Sequence, residues 1–235
     1  MCGRFTQTMD LSDIAAKYRV GTSPVSASLD TLRNNTGQGM VANYNLAPSE
    51  EAVIVSSVDR GRDLQRARFG IDLVFGPSKL PKLIINARSE TALSKATFSR
   101  AVRHSRCVVP ANGYFEWMSQ SSTSKIPYFI RPSHGDLASL AALRYQDKKT
   151  KSNGFVILTQ AANSSVRHIH DRMPVLIPDS LLDPWLDFEL DSPELTLELL
   201  LLAQDATDQT SLDFHPVTKA MGSPNFKSRG AIESI

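Results

Sequence analysis

The sequence predicts an α+β fold built on a mostly antiparallel sheet or barrel. Its 235 residues, of which 41% are hydrophobic and 21% charged, have the composition of a globular protein of one domain or two small ones. Short segments rich in β-branched and aromatic residues predict strands, and these do not alternate regularly with helices as a parallel sheet requires. The predicted strands are Ala52–Val58, Leu64–Phe69, Leu83–Ala87, Arg106–Val109, Tyr114–Met118, Tyr128–Arg131 and Phe155–Thr159.

Two helices and one long loop complete the predicted elements. Apolar side chains at i, i+3, i+4 and i+7 between Leu11 and Tyr18 predict a short amphipathic helix. Ser, Thr, Gly and Asn dominate Gly21–Gly39, which predicts a surface loop. A second helix is predicted to begin at Asp191–Glu194, where a capping residue precedes a Pro and an acidic residue, and to carry Leu195–Ala203. No repeat or domain boundary is evident.

The net charge of +2 conceals an uneven distribution. Nine acidic residues and no Lys or Arg lie between Leu181 and Phe214. The rest of the chain has the remaining 15 of the 24 acidic residues and all 26 basic ones, a net charge of +11. A basic body with a separate acidic segment favours a polyanionic partner, although an acidic solvated helix would give the same pattern.

The sequence predicts a cytoplasmic protein. The first residues contain no apolar run, which excludes a signal peptide, and the most apolar stretch, Leu199–Ala203, is too short to cross a bilayer. The reducing conditions of that compartment argue against a disulfide between Cys2 and Cys107.

Cys2 is a candidate N-terminal nucleophile. Removal of Met1 would leave an α-amine and a thiol on adjacent carbons, groups whose usual pKa values are about 7.7–8.0 and 8.5. Such an aminothiol suits aldehydes, because the amine forms a Schiff base that the thiol closes to a thiazolidine. The same terminus could attack an amide carbonyl, and a cysteine at this position could also have no role.

Glu116 lies within an aromatic segment, Gly113–Trp117. On a strand, Tyr114, Glu116 and Met118 share one face. If that face is buried, desolvation raises the pKa of the carboxyl group and makes Glu116 a candidate acid or base. Alternatively, Glu116 occupies the solvated face of an edge strand.

His168 and His170 form a His-x-His pair, but two ligands are too few for a metal site and no further pair completes one. His170 is followed by Asp171 and Arg172, which favours a proton carrier or a phosphate contact, or simply a turn that closes on Pro174.

Asn86 and Arg88 point to one face of a predicted strand. An amide and a guanidinium side by side could orient a nucleophile and hold a phosphate. Each of these motifs is weak when it is taken alone.

Taken together and in order, the motifs resemble the SOS response-associated peptidase (SRAP) family. The match extends from residue 2 to about residue 222, nearly the whole chain. The segments that carry it are Cys2–Phe5, Tyr44–Pro48, Ile85–Glu90, Arg106–Pro110, Gly113–Trp117, Pro127–Ile130, Ile169–Pro174 and His215–Val217.

The resemblance implies a single α+β domain over residues 1–235 with a barrel-like β core flanked by short helices, and a mature protein without Met1. It implies that a monomer captures abasic sites in single-stranded DNA covalently through Cys2, without a metal or other cofactor, and is nucleoid-associated when bound. It further implies that Asn86 orients Cys2 and that Glu116 and His170 form the acid/base pair. The residues implied in DNA binding are Arg4, Asn45, Phe69, Arg88, Trp117 and Arg172.

The chain departs from the family pattern at Phe69–Phe75, where a Trp-Gly-apolar-apolar-Pro-x-Trp run is usual. Both Trp positions are Phe and the Pro is absent, so a base would stack on Phe69. Two other classes remain open: a glutamine amidotransferase with an N-terminal Cys, and a single-stranded DNA-binding module without covalent chemistry.

Overall fold

The computed structural model describes residues 2–21, 42–58, 61–74, 76, 80–135, 137–147, 152–187 and 192–235. Met1 and nearly all of the loop predicted at Gly21–Gly39 lie outside these ranges. The strands are β1 Arg4–Gln7, β2 Asn43–Leu46, β3 Glu51–Val58, β4 Gly61–Phe69, β5 Ile71–Leu73, β6 Lys82–Ile84, β7 Asn86–Arg88, β8 Arg106–Ala111, β9 Gly113–Ser119, β10 Lys125–Pro132, β11 Ala138–Gln146, β12 Asn153–Ala161, β13 Arg172–Pro174 and β14 Leu212–Pro216. The α-helices are α1 Leu11–Lys17, α2 Ser89–Ala92, α3 Ala96–His104, α4 Leu182–Leu186 and α5 Pro193–Gln209.

The strands form two main sheets. The first sheet has the order β14-β10-β9-β1-β2, and all of its neighbours are antiparallel. The second, called here the ring sheet, has the order β11-β8-β3-β4-β12-β13 and closes on itself because β12 also pairs with β11. Strand β12 runs parallel to β4 and β7, while the other pairings within the ring sheet are antiparallel. The predicted α+β fold with a mostly antiparallel β core is confirmed.

Strand β3 separates two hydrophobic cores. Ala52 and Ile54 belong to one buried cluster, which also contains Cys2, whereas Val53 and Val55 belong to the cluster formed with the helices. A strand buried on both faces reads as a continuous apolar run, as this one does. The ring sheet is therefore covered on one side by the helices and on the other by the first sheet, where Cys2 lies.

The predicted elements are present with adjusted ends. The first helix is confirmed as α1, and the second begins at Pro193, where Ser192 Oγ accepts a hydrogen bond from the Leu195 N–H at 3.3 Å. All seven predicted strands exist, but the one predicted at Leu83–Ala87 is divided at Ile85. The division arises because β6 pairs with β5 and β7 pairs with β12.

Cys2 and Cys107 are not joined by a disulfide, as predicted, and both are buried. Among the helices of the described ranges, none has the length and apolar character needed to cross a bilayer.

Candidate active site at Cys2

Cys2 lies just ahead of β1, a central strand of the first sheet. In the antiparallel pairing of β1 with β9, Arg4 is opposite Phe115 and Phe5 is opposite Tyr114. This register carries the start of the chain towards Glu116, further along β9. The Cys2 side chain is fully buried, and burial together with the negative charge of Glu116 raises the pKa of its thiol. The thiol is therefore neutral at ordinary pH.

Asn86 joins the ring sheet to Cys2. It is the first residue of β7, which the parallel pairing with β12 places opposite Ile157. Its Nδ2 donates a hydrogen bond to the backbone carbonyl oxygen of Cys2 at 3.0 Å. The Asn86 Oδ1 atom is buried and has no hydrogen-bond partner among the described residues. The amide thus holds the Cys2 backbone and keeps one acceptor available beside it.

Glu116 and His170 face each other across the site. The Glu116 side chain is 3% exposed, and its Oε2 atom lies 3.9 Å from Nε2 of His170. Burial raises the pKa of the Glu116 carboxyl group, and the nearby His170 opposes this shift without reversing it. Hydrogen bonds of catalytic pairs are often long before substrate binds, so this spacing suits a pair that exchanges a proton.

The Nδ1 atom of His170 has two polar neighbours. It accepts the backbone N–H of Arg172 at 3.0 Å, and the exposed carboxylate of Asp171 lies 2.9 Å from it. The Arg172 N–H favours the tautomer that carries its proton on Nε2, whereas the Asp171 carboxylate favours a proton on Nδ1. In the tautomer that the Arg172 N–H favours, Nε2 presents a proton towards Glu116.

Arg88 and Trp117 lie where a ligand could reach them. Arg88 is exposed and follows Asn86 by two residues on β7, and its side chain makes no hydrogen bond or ion pair within the described ranges. Trp117 is half-buried and directly follows Glu116 on β9. Alternation along β9 turns Trp117 to the face opposite Glu116, where it packs against the cluster of Phe115 and Phe129.

Arg4 and Asn45 are bonded within the protein. Arg4 donates to Asn45 Oδ1 at 2.8 Å and to the carbonyl oxygens of Met221 and Gly222. Asn45 is fully buried, and its Nδ2 donates to three carbonyl oxygens of the C-terminal segment. These two residues anchor that segment to β1 and β2, and a DNA contact by the Asn45 side chain would require those bonds to break.

Arg172 and Phe69 are also engaged by the protein. Arg172 forms a bidentate ion pair with Glu90, with distances of 2.6 and 2.9 Å, and donates to the Thr159 carbonyl oxygen. Phe69 belongs to β4 rather than to a loop, is fully buried, and stacks on Phe155 with 5.2 Å between ring centroids. In this structure Phe69 is a core residue, because strand alternation turns its ring inwards and leaves no free face for a base.

One residue beside Cys2 is absent from the set of site residues predicted above. Tyr114 is fully buried, and its hydroxyl group has no hydrogen-bond partner among the described residues. Tyr114 belongs to the buried cluster that contains Cys2, and it is two residues from Glu116 on β9. The period-two pattern of β9, which puts Tyr114 and Glu116 on one face, is the signal that could have identified it.

No group of three or more His, Cys, Asp or Glu side chains is arranged to hold a metal ion within the part of the chain that the structure describes.

The fold is similar to two solved structures. A protein from Bacteroides thetaiotaomicron matches over 100% of both chains with a TM-score of 0.73 and 21% identity. A phage-related protein from Bordetella bronchiseptica matches over 93% of this chain and 95% of its own, with a TM-score of 0.66 and 24% identity. At these identities the likeness establishes the fold alone.

Sequence relatives extend the comparison. The abasic site processing protein YoqW of Bacillus subtilis is 28% identical over 100% of both chains. The abasic site processing protein YedK of Escherichia coli is 28% identical over 98% of this chain and 97% of its own. HMCES of Xenopus tropicalis, also named an abasic site processing protein, is 24% identical over 93% of this chain and 73% of its own. Residues 1–224 match the model of one protein family, so the chain belongs to the SOS response associated peptidase (SRAP) family.

Proposed function

We propose that this protein captures abasic sites in single-stranded DNA by forming a thiazolidine between the sugar aldehyde and Cys2. The observation that carries the proposal is the arrangement around Cys2, where Asn86 bonds the backbone of the residue and a buried Glu116 faces His170. The relatives named abasic site processing proteins support the substrate. The family name supports a peptidase step that exposes Cys2.

The first step is hydrolysis of the Met1–Cys2 bond, which consumes water and releases methionine. Cys2 then carries a free α-amine, and the unpartnered Asn86 Oδ1 is available to accept a hydrogen bond from it. Burial keeps the thiol neutral, so the amine is the first nucleophile and the thiol the second.

The closed sugar must open before it can react. The Nε2 proton of His170 passes to the ring oxygen as the bond between that oxygen and C1′ breaks, and Glu116 takes the proton of the 1′-hydroxyl group. Glu116 keeps this proton for the capture steps, and the short distance between the two groups lets a proton return from Glu116 to His170 once capture is complete. A carboxylate whose pKa is raised by burial is a stronger base than an exposed one, which suits it to this transfer.

Capture follows in two bond-forming steps. The amine nitrogen adds to C1′, and the oxygen leaves as water with protons from the amine and from Glu116. The sulfur then adds to the same carbon, and the thiol proton passes to Glu116, where it replaces the proton that left with the water. The net reaction joins one aldehyde to one aminothiol and releases one water, with no oxidant or reductant. Reversal needs the same proton transfers, so release is slow.

Single-stranded abasic DNA fits this site on physical grounds. An abasic nucleotide has no base to unstack, so its sugar enters a pocket at little cost. The net charge of +11 outside Leu181–Phe214 attracts the backbone, exposed Arg88 suits a phosphate, and Trp117 suits a neighbouring base.

The test is incubation with a single-stranded oligonucleotide that contains one abasic site. We expect an adduct that survives denaturation, with the mass of the protein lacking Met1 plus the DNA minus one water. Cys2→Ala should lose the adduct, and Cys107→Ala, a matched change of a buried cysteine, should keep it. An adduct retained by Cys2→Ala, or active protein that keeps Met1, would overturn the proposal. Ammonia release from glutamine without an adduct would favour the amidotransferase class instead.

A further inference from the structure

Strand β9 places a second functional group beside Cys2. Tyr114 and Glu116 are two residues apart and point to the same side of β9. Tyr114 is paired with Phe5 of β1, the strand that begins just after Cys2, and it belongs to the same buried cluster as Cys2. The Tyr114 side chain thus lies on the same side of β9 as Glu116, in the buried cluster that contains the nucleophile.

The hydroxyl group of Tyr114 is buried without a hydrogen-bond partner in the described part of the chain. The side chain is fully buried, and no donor or acceptor among the described residues bonds its oxygen. Buried polar groups are bonded in the great majority of cases, because an unbonded hydroxyl costs stability. Phe5 and Phe69, buried in the same cluster, fill space without such a group. Core packing alone therefore explains the Tyr114 ring but not its oxygen.

The environment makes this hydroxyl a donor. Burial raises the pKa of the Tyr114 phenol well above its usual range, and the negative charge of Glu116 raises it further. The hydroxyl group therefore keeps its proton at neutral pH. A fixed neutral O–H in a water-excluded site is suited to stabilise negative charge that develops on an oxygen.

We propose that Tyr114 is a further catalytic residue, whose hydroxyl donates a hydrogen bond to the oxygen on the carbon that Cys2 attacks. This inference rests on the proposed function above. As the amine nitrogen adds to C1′, the carbonyl electron pair moves to that oxygen, and the Tyr114 O–H stabilises the charge without giving up its proton. Glu116 then supplies the proton with which the oxygen leaves as water.

The test compares two fully buried tyrosines, one whose hydroxyl group has no hydrogen-bond partner among the described residues and one whose hydroxyl group has a partner. Tyr114→Phe removes the unbonded hydroxyl, whereas Tyr18→Phe removes a buried hydroxyl that is 2.7 Å from Ser139 Oγ. Each variant, without Met1, is given abasic single-stranded DNA or the small aldehyde propanal. Single-turnover rates are read from denaturing gels for DNA and from intact mass for propanal, together with melting temperature and affinity for undamaged single-stranded DNA.

We expect opposite results from the two variants. Tyr114→Phe should slow adduct formation with both aldehydes by about 10²-fold, the usual effect of losing one such donor, with unchanged DNA affinity and an equal or higher melting temperature. Tyr18→Phe should lower the melting temperature and leave both rates unchanged.

Wild-type rates in Tyr114→Phe with both aldehydes would overturn the inference. A loss of DNA affinity in this variant at an unchanged rate with propanal would also overturn it, because Tyr114 would then contribute to DNA binding and not to the reaction. If wild-type protein reacts with propanal at Cys2 but not with abasic DNA, the proposed substrate fails, while the propanal rates of the two variants still decide the role of Tyr114.

Discussion

The side-chain Nδ2 of Asn86 donates a 3.0 Å hydrogen bond to the backbone carbonyl oxygen of Cys2, across 84 positions of sequence. This bond connects the ring sheet to the start of the first sheet. Because the amine and the thiol of Cys2 both branch from the backbone that Asn86 holds, this one contact orients both nucleophiles relative to Glu116.

Asn86→Ala should therefore slow adduct formation with abasic DNA by about tenfold, the equivalent of one modest hydrogen bond. Single-turnover gel assays measure the rate. Asn112→Ala is the matched control, because the side-chain oxygen of Asn112 accepts hydrogen bonds only from Thr8 among the described residues. Equal rates in the two variants would show that the contact with Cys2 does not orient the nucleophile.

The salt dependence of DNA binding should separate Arg88 from Arg4. The Arg88 side chain is exposed and makes no hydrogen bond among the described residues, so Arg88→Ala should reduce the log–log slope of affinity against salt by about 0.7. Arg4 donates to Asn45 and to the C-terminal segment, so Arg4→Ala should also lower the melting temperature. Binding titrations over a range of salt concentrations and thermal melts give both quantities. An unchanged slope in Arg88→Ala would exclude Arg88 as a phosphate contact.

Glu116 should make stability depend on pH in a definite direction. Burial raises the pKa of Glu116 in the folded protein above its usual 4.5, so the folded state keeps a proton that the unfolded state loses. The contribution of Glu116 to the free energy of unfolding is complete below about pH 4.5 and declines as pH rises through the folded pKa. The free energy of unfolding of Glu116→Gln, relative to wild type, should therefore be constant below pH 4.5 and rise above it. Urea unfolding from pH 4 to 8 measures it.

Glu50→Gln provides a control of opposite sign. Although burial raises the pKa of Glu50, hydrogen bonds from Lys227 and from the Ala47 N–H outweigh that effect and hold the pKa below its usual value. Its stabilisation is present above pH 4.5 and is lost as pH falls through the folded pKa. The free energy of unfolding of Glu50→Gln should thus be lower than that of wild type above pH 4.5, and this difference should disappear in acid. The same pH trend in both variants would contradict the assigned environments.

His170→Ala should slow both formation and release of the adduct by about 10²-fold or more, the usual contribution of an acid/base group. His168→Ala, two residues away, is the control, because His168 is exposed and its ring contacts Phe214. Single-turnover assays on a closed-ring abasic site and on a preformed adduct measure the two steps. If His170→Ala matches His168→Ala in both, His170 is structural.

The strands that could be predicted are those whose own residues have a composition typical of strands. The runs at β3, β4, β8, β9 and β12 are rich in β-branched or aromatic residues, and Ser192 with Pro193 marks the start of α5. Strand β11 was missed because its alanine-rich sequence is buried on both faces from Ala138 to Leu143, so it has neither alternation nor strong β propensity. Strand β1 was missed because its four residues mix charged, aromatic and polar side chains.

The sequence by itself determined the chemistry available to this protein: an aminothiol at Cys2 once Met1 is removed, and a carboxyl group at Glu116 inside an apolar strand. Only the tertiary structure decided which groups meet, because strand pairing between distant segments brings Asn86 to Cys2 and His170 to Glu116. Residue type also does not reveal whether a guanidinium group is left free, as in Arg88, or is occupied by protein oxygens, as in Arg4. That difference depends on which acceptor oxygens the tertiary packing brings close to the guanidinium group, and the order of residues in the sequence does not show this.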